Sequence, residues 1–445
     1  MDNEKKIESH SSPDELAERL HKSWFEFVAG QSTPPPVPSL PQFKSLLEVA
    51  YLATMEMEEG RPTTFTICCA AKDRIVERDR PHQKVESWPF ETVRTFNVQE
   101  IRHLAVATNS DSTFVWVQFA EREDSPLEIR GLLNLGPSWA IARNAYTYFY
   151  QSLPKTLTVQ GISPGYLVVY QGDFVVGQIK SGFMHAGEPS RGFMDLLGAY
   201  PIFKEGHSVL RDRTMIPNHE YIKEWHEFEW RAYVNVIIAI VNAIKLQGHG
   251  GALIVTSPKS KILDDHMVKI KYRFSPPGQY LRESYIEFMN HRHKHSDRLV
   301  FLQKHDESTE NDQQLNATFF SLLDAEKRLA ESCIFAGKLS GTDGALVLIS
   351  DFSLVGFGTE IRLEKVSAEV KVYKVKQPMD EAHEELDSEQ FGMRHRSAIK
   401  LCLQCDDIIV FVVSQDGGIS LIWNKERKVY LKSDIKTTNL NMILS

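Results

Sequence analysis

One stretch constrains the fold more than any other: a long apolar stripe that stops at a run of glycines and restarts as a buried strand. Tyr221, Trp225, Phe228, Ala232, Val236, Ile240 and Ile244 recur at three- and four-residue spacing, the period of one face of a helix. The spacing predicts a helix over 219–246. Gln247-Gly248-His249-Gly250-Gly251 then ends it, because glycine takes the left-handed conformation that closes a helix. The apolar run 252–255 follows as a buried strand. A helix, a tight glycine junction and a buried strand begin an α/β domain, and everything after position 219 has to fit around them.

Downstream, helices and strands alternate. A polar loop (304–314) precedes a helix (317–336), a strand (345–349) and a polar, acidic segment (379–389). A helix beginning near Arg394 and two strands (408–413 and 419–423) complete the series. The expectation is a mixed sheet with helices on its faces. Upstream, 46–204 is richer in strands. Segments 65–70, 114–119 and 127–133 are β-branched, aromatic and aliphatic, and 166–170 and 174–179 flank a Gln171-Gly172-Asp173 turn. Helical patterns at 43–57 and 139–153 make this an α+β domain. The chain opens on a short amphipathic helix (13–28) and a Pro-rich stretch (33–41), read as a spacer because consecutive prolines favour polyproline II. Three parts result: 1–45, helix and spacer; 46–210, an α+β domain; and 218–432, a mixed α/β domain.

Length and charge bound the function. A chain of 445 residues exceeds one core. A net charge of -8 argues against bulk nucleic-acid binding, while leaving room for a local basic nucleotide site. Lys5 and Lys6 are followed by no apolar run, so no signal peptide is expected. The most apolar stretch, 234–244, is about half the ~20 residues that cross a bilayer and contains Asn235 and Asn242, so it reads as a buried helix. Five cysteines in no disulfide spacing point to a reduced, cytoplasmic protein, with Cys402 and Cys405 as buried thiols. The first α+β domain shows no catalytic constellation. His82, His103 and His185 are scattered, and Glu56, Glu58, Glu59 and Arg61 read as a solvated helix end, with a buried Glu–Arg pair or ligand contact as the alternative.

Chemistry concentrates in three short segments of the second domain. Thr342-Asp343-Gly344-Ala345 runs straight into an apolar strand. A carboxylate there suits a metal ion or an incoming hydroxyl, and the small residues let a flat base approach the backbone, although Asp-Gly is also a common turn. Phe391-Gly392-Met393-Arg394-His395-Arg396 places two guanidinium groups at a helix start, a dense set of phosphate donors or a surface charge run. Ser414-Gln415-Asp416-Gly417-Gly418 turns between two strands, with polar side chains available to a site.

The order of these segments, Gly251-Ala252-Leu253-Ile254-Val255, then D-G-A, then G-x-R-H-R-S-A, then S-Q-D-G-G-I-S, resembles the diadenylate cyclase domain over about 218–432. Gly356-Phe357-Gly358 resembles the subgroup in which an N-terminal sensor-like region precedes it. Residues 46–204, with a Glu-Glu-Gly-Arg stretch and Pro164-Gly165, resemble that region. The resemblance implies condensation of two ATP into cyclic di-AMP with release of pyrophosphate, under control of the N-terminal domain. It implies Asp343 as base, metal ligand or both, and Gly344 and Ala345 as backbone lining the adenine site. Gly392, Arg394, His395 and Arg396 would bind phosphate, with Ser414 near the polyphosphate. It implies a divalent cation (Mn2+ or Mg2+) on Asp343, Gln415 and Asp416, and cyclase domains associated face to face. Two positions depart from the family pattern: Met393 replaces a threonine, and Gln415 or Asp416 stands for a second glutamate. Those departures favour the alternative of a weakened cyclase-like module that binds ATP or cyclic di-AMP as a sensor.

Overall fold

The computed structural model describes residues 12–24, 38–58, 60–69, 85–108, 112–119, 126–135, 156–171, 174–180, 182–186, 197–215, 222–263, 267–305, 312–342, 344–362, 371–375, 383–415, 417–433 and 435. The chain divides into two compact units.

The N-terminal unit opens on α1 (Pro13–Ser23) and α2 (Leu40–Met55). Each begins in a capping box, Ser12 with Glu15 and Ser39 with Gln42, in which side chains satisfy amides the helix leaves open. The end of the Pro-rich stretch is therefore not spacer. Pro41 sits in the first turn of α2, where proline's missing N–H costs nothing. Short strands β1 (Met57–Glu58) and β2 (Arg61–Pro62) follow. The Glu–Arg cluster sits at the end of α2, partly exposed, and meets a helix residue: Arg102 contacts Glu56 at 3.6 Å and Glu58 at 2.8 Å. Glu59, His82, the 139–153 helix pattern and Gly172-Asp173 lie outside the described residues.

The sheet of this unit consists of β3 (Phe65–Cys69), β4 (Glu86–Thr95), β5 (Thr113–Gln118), β6 (Glu128–Asn134), β7 (Leu157–Ser163), β8 (Tyr166–Gln171), β9 (Phe174–Lys180) and β10 (Phe183–Ala186). Its order is β10-β9-β8-β7-β3-β5-β6-β4, with β3 and β5 parallel. Helix α3 (Val98–Ala107) joins α1 and α2 over one face. There Leu16, Leu20, Phe43, Leu46 and Ile101 meet Phe65, Ile67, Val115 and Val159 in a single apolar cluster.

The C-terminal unit carries α4 (Pro201–Arg211), the long α5 (Ile222–Lys245), α6 (Tyr280–Lys304) and α7 (Gln313–Lys338). Strands β11 (Gly251–Thr256), β12 (Val268–Gly278), β13 (Ala345–Ile349), β14 (Leu354–Ile361), β15 (Lys371–Val375) and β16 (His383–Asp387) precede α8 (Met393–Gln404). Then come β17 (Ile408–Val413), β18 (Ile419–Lys425) and β19 (Lys428–Lys432). The order is β12-β14-β13-β11-β17-β18-β19-β15-β16, with β11–β13 and β15–β19 parallel and the other pairs antiparallel. The chain is thus mixed α/β, with helices on the faces of the second sheet.

Strand alternation divides that sheet's side chains cleanly. Leu253, Val255, Leu346, Leu348 and Phe411 pack under α5, α6 and α7, while Ile254, Val347, Val410, Val412 and Ile422 pack under α8. The stripe on α5 is buried as its periodicity requires. Three elements differ from expectation. The acidic 379–389 segment contains an edge strand, β16, which pairs antiparallel with β15 and places Glu385 2.5 Å from Lys371. β12 and α6 add a strand and a helix where the sequence pattern was silent. All five cysteines are free and buried. Burial, then Asp407 and Asp406, push the Cys405 thiol up to about 11, so the Cys402/Cys405 pair is protonated and inert at neutral pH.

Candidate nucleotide site

The three chemistry-bearing segments converge on one end of the second sheet. Ala252 pairs with Ala345 on one side and with Val412 on the other, and Val413 pairs with Gly251 and Ile419. The starts of β11, β13 and β18 and the end of β17 therefore share one edge. The D-G-A approach and the Ser414 turn stand two strand spacings apart, about 10 Å.

Each position has a local cause. Gly344 has φ of +120°, and a Cβ there would lie 2.6 Å from the Gly358 carbonyl carbon and the Thr359 nitrogen. The close approach that glycine permits is used by the neighbouring strand β14, and the Ala345 side chain is buried beneath α8. Asp343 lies outside the described residues, as does Asp416.

The start of α8 is open. Its N-cap, Gly392, offers no side-chain hydrogen bond, so the first-turn amides keep free hydrogen-bonding capacity toward solvent or an anion. Met393 is 77% exposed. Arg394 is exposed and forms no ion pair among the described residues. His395 is anchored: its Nε2 lies 3.1 Å from Ser420 Oγ on β18, and its ring stacks on Phe391 at 5.9 Å. Arg396 Nη1 donates to Glu389 Oε2 at 2.7 Å. One guanidinium is thus exposed and one is held.

The third segment is a tight turn, in which Ser414 N donates to Gly418 O at 2.8 Å and Gly417 N to Ser414 O at 3.0 Å. Gln415 is exposed at its tip. The glycine run after α5 lies directly beneath: Gly250 has φ of +71°, and a Cβ on it would sit 2.6 Å from Val413 O. The arm of Lys245 passes over the turn, its Cε 3.1 Å from where a Cβ of Gly417 would be. Gln247 Nε2 donates to Gly337 O at 2.7 Å and to Ser340 Oγ at 3.2 Å, tying the end of α5 to the segment that leads into Asp343.

Residues 243–427 match the family described as "DisA bacterial checkpoint controller nucleotide-binding". The C-terminal domain belongs to the diadenylate cyclase domain family. Residues 32–134 match the family described as "Probable sensor domain DACNV", so a cyclase-type domain follows a sensor domain, the arrangement of the subgroup seen in the sequence. No curated protein matches the chain.

Within the cyclase-type domain, sequence reasoning did not single out four contributors: Glu389 as the partner of Arg396, Ser420 as the anchor of His395, and Lys245 and Gln247 at the end of α5. Ser420 closes the third motif, which was the available signal. The others depend on tertiary contacts. Among the described residues no three His, Cys, Asp or Glu side chains form a metal-holding group. Among them, too, no helix is long and apolar enough to cross a membrane.

Proposed function

We propose that the protein is a diadenylate cyclase whose N-terminal sensor domain sets the activity of the cyclase-type domain. The observation that supports this most is the gathering of Gly344, the uncapped start of α8 with Arg394, and the Ser414 turn at one edge of the second sheet. An ATP whose adenine lies near Gly344 and Ala345 would direct its phosphates to the α8 amides, Arg394, His395 and Arg396, with Ser414 near the polyphosphate.

The ribose 3′-oxygen of one ATP attacks the α-phosphorus of the facing ATP. Its proton passes to Asp343, the bond to pyrophosphate breaks, and the same step in the opposite sense closes the ring. The chain holds one such domain, so two copies must face each other, and the active form is a homo-oligomer. Positioning and charge neutralisation by the arginines supply most of the acceleration. Asp343, Gln415 and Asp416 would offer oxygen donors, the chemistry that suits a hard divalent cation such as Mg2+ or Mn2+. When bound, that ion would neutralise phosphate charge. The buried, free thiols and the ATP substrate suit a cytoplasmic setting.

Met393, exposed at the start of α8 without a hydrogen-bond donor on its side chain, favours a second reading: a module that binds ATP or cyclic di-AMP without turning it over. Incubation of the purified full chain with ATP and Mn2+ or Mg2+ distinguishes them. Cyclic di-AMP with two pyrophosphates per ring is expected. ATP binding without product would favour the sensor module, and absence of any adenine-nucleotide binding would overturn both.

A further inference from the structure

Gly356-Phe357-Gly358, which the proposed chemistry leaves unused, decides how β12 lies against β14. Tyr272 of β12 pairs directly with Phe357 of β14, and Arg273 with Gly356. A Cβ on Gly356 would lie 2.4 Å from Tyr272 O and 2.9 Å from Arg273 Cα, so a glycine is needed for β12 to approach this closely. Gly358 has φ of +64°, a left-handed conformation that glycine adopts without strain. A Cβ on it would sit 3.2 Å from Tyr272 Cδ2 and 3.5 Å from Thr342 Cγ2. Two glycines thus seat an aromatic residue of β12 beside the residue that precedes Asp343.

The seated rings form a flat stack. Tyr272 lies 4.8 Å from Phe357 and 18° from parallel, and Phe274 tilts against Phe357 at 6.0 Å. Phe357 packs against the core beneath α5–α7, yet Tyr272 is 53% exposed. One face of its ring is covered by Phe357, and the exposure belongs to the rest. The carbonyl carbon of Gly358 lies 2.6 Å from where a Cβ of Gly344 would be. Gly358 backbone therefore adjoins the exposed ring on one side and the D-G-A glycine on the other. A tyrosine on an edge strand is ordinary by itself. This one is held parallel on a second ring, in a place that two glycines create, next to the backbone proposed to line adenine.

We propose that Tyr272 is a base-selecting residue of the nucleotide site, its open side stacking on the purine. This rests on the reading of Gly344 and Ala345 as the adenine edge. Phosphate contacts are the same for every nucleoside triphosphate, so discrimination has to come from groups that meet the base. Aromatic rings attract one another in offset parallel stacks, and a purine brings two fused rings where a pyrimidine brings one. Tyr272 would select by ring area.

The test uses the full chain with Mg2+ and two probes, 3′-deoxy-ATP and 3′-deoxy-CTP, which lack the attacking oxygen, titrated by calorimetry. The wild type should bind the adenine probe about tenfold or more tightly than the cytosine probe. Tyr272→Leu should weaken the adenine probe by about tenfold and the cytosine probe much less. Tyr272→Val, suited to a strand, replaces it if the leucine variant does not fold. Tyr272→Phe and Tyr272→Trp keep a ring and should keep the preference. Equal losses for both probes would show a structural role and overturn the proposal, as would a preference that survives Tyr272→Leu. A cyclic di-AMP assay with ATP separates this outcome from the function proposed above. Product from the wild type with an unaltered preference in Tyr272→Leu overturns the stacking role alone. Nucleotide binding without product removes the cyclase reading, and the two probes still decide the role of Tyr272. Binding of neither probe by the wild type overturns both.

Discussion

The two sheets of this protein solve the same packing problem and place their polar chemistry differently. Both are mixed, and both run a parallel pair inside an otherwise largely antiparallel order. In the C-terminal sheet both faces are apolar, and polar strand residues such as Thr256, Ser350, Thr359 and Ser420 stand at or just beyond strand ends. Its candidate site lies beyond those ends, in turns and a helix start. The N-terminal sheet instead carries Thr66, Thr158, Gln160 and Gln178 on a buried face, Gln160 at the middle of β7, where donors and acceptors enter the stability balance.

The sharpest way to break this comparison is to remove the base proposed at the strand-end site. Asp343→Asn should abolish cyclic di-AMP formation while leaving ATP binding nearly intact, since other groups share the binding. Product assay and calorimetry check it; full turnover would remove Asp343 from the chemistry.

Acid should act on the C-terminal unit through His207. Burial first, then Arg211 and His226, lower its pKa to about 4, and it packs edge-on against Trp230 and Tyr233, each at 5.5 Å. The folded state resists protonation that the unfolded chain accepts near the ordinary value of about 6.5. The unfolded state therefore binds more protons between the two values. Stability is complete above about pH 6.5 and falls toward pH 4, by at most about 3 kcal/mol. The melting transition assigned to this unit, compared with that of His207→Phe across this range, tests it. Equal acid sensitivity in both proteins would refute the assignment to His207.

Next in size are the arginines of α8. Arg394→Ala and Arg396→Ala should each weaken ATP binding by about 1.5–3 kcal/mol if both charged hydrogen bonds are made. Arg394 should stand at the upper end, because Arg396 must exchange its contact with Glu389 for one with phosphate. Unchanged affinity in both variants would return the motif to an ordinary helix end.

The smallest effect concerns Met393. Its exposure means that Met393→Thr opens no gap in a core, so the thermal midpoint should hold. A hydroxyl beside Arg394 adds one neutral hydrogen bond worth about 0.5–1.5 kcal/mol, a few-fold in turnover if made mainly in the transition state. Lower turnover together with lower stability would show the thioether to be adapted to its position.

What could be read from the sequence follows from where each element's stabilisation comes from. β13 and β17 are short apolar runs buried on both faces, and their expected bounds match the structure. α5 carries a continuous stripe and was equally readable. β12 and α6 were not. β12 is an edge strand whose central residues are exposed, and α6 carries His291-Arg292-His293-Lys294-His295 across its middle. The packing of Leu281, Tyr285 and Phe288 declares itself only once α7 is alongside. The site divides in the same way. Arg394, His395 and Ser414 were visible because their residue types carry the chemistry. Glu389 and Ser420 act through contacts that only the folded chain brings about.

The Gln247 side chain has one further consequence, for motion. It holds the last turn of α5 and the residues leading to Asp343 through a single amide group, bonded to both Gly337 O and Ser340 Oγ. Segments that share a hydrogen-bonded side chain are coupled in their opening. Backbone amides of Ser340–Thr342 and of Gln247–Gly248 should exchange with deuterium as one cooperative unit, and Gln247→Ala should release both. The opening of Ser340–Thr342 would then be governed from the end of a neighbouring helix.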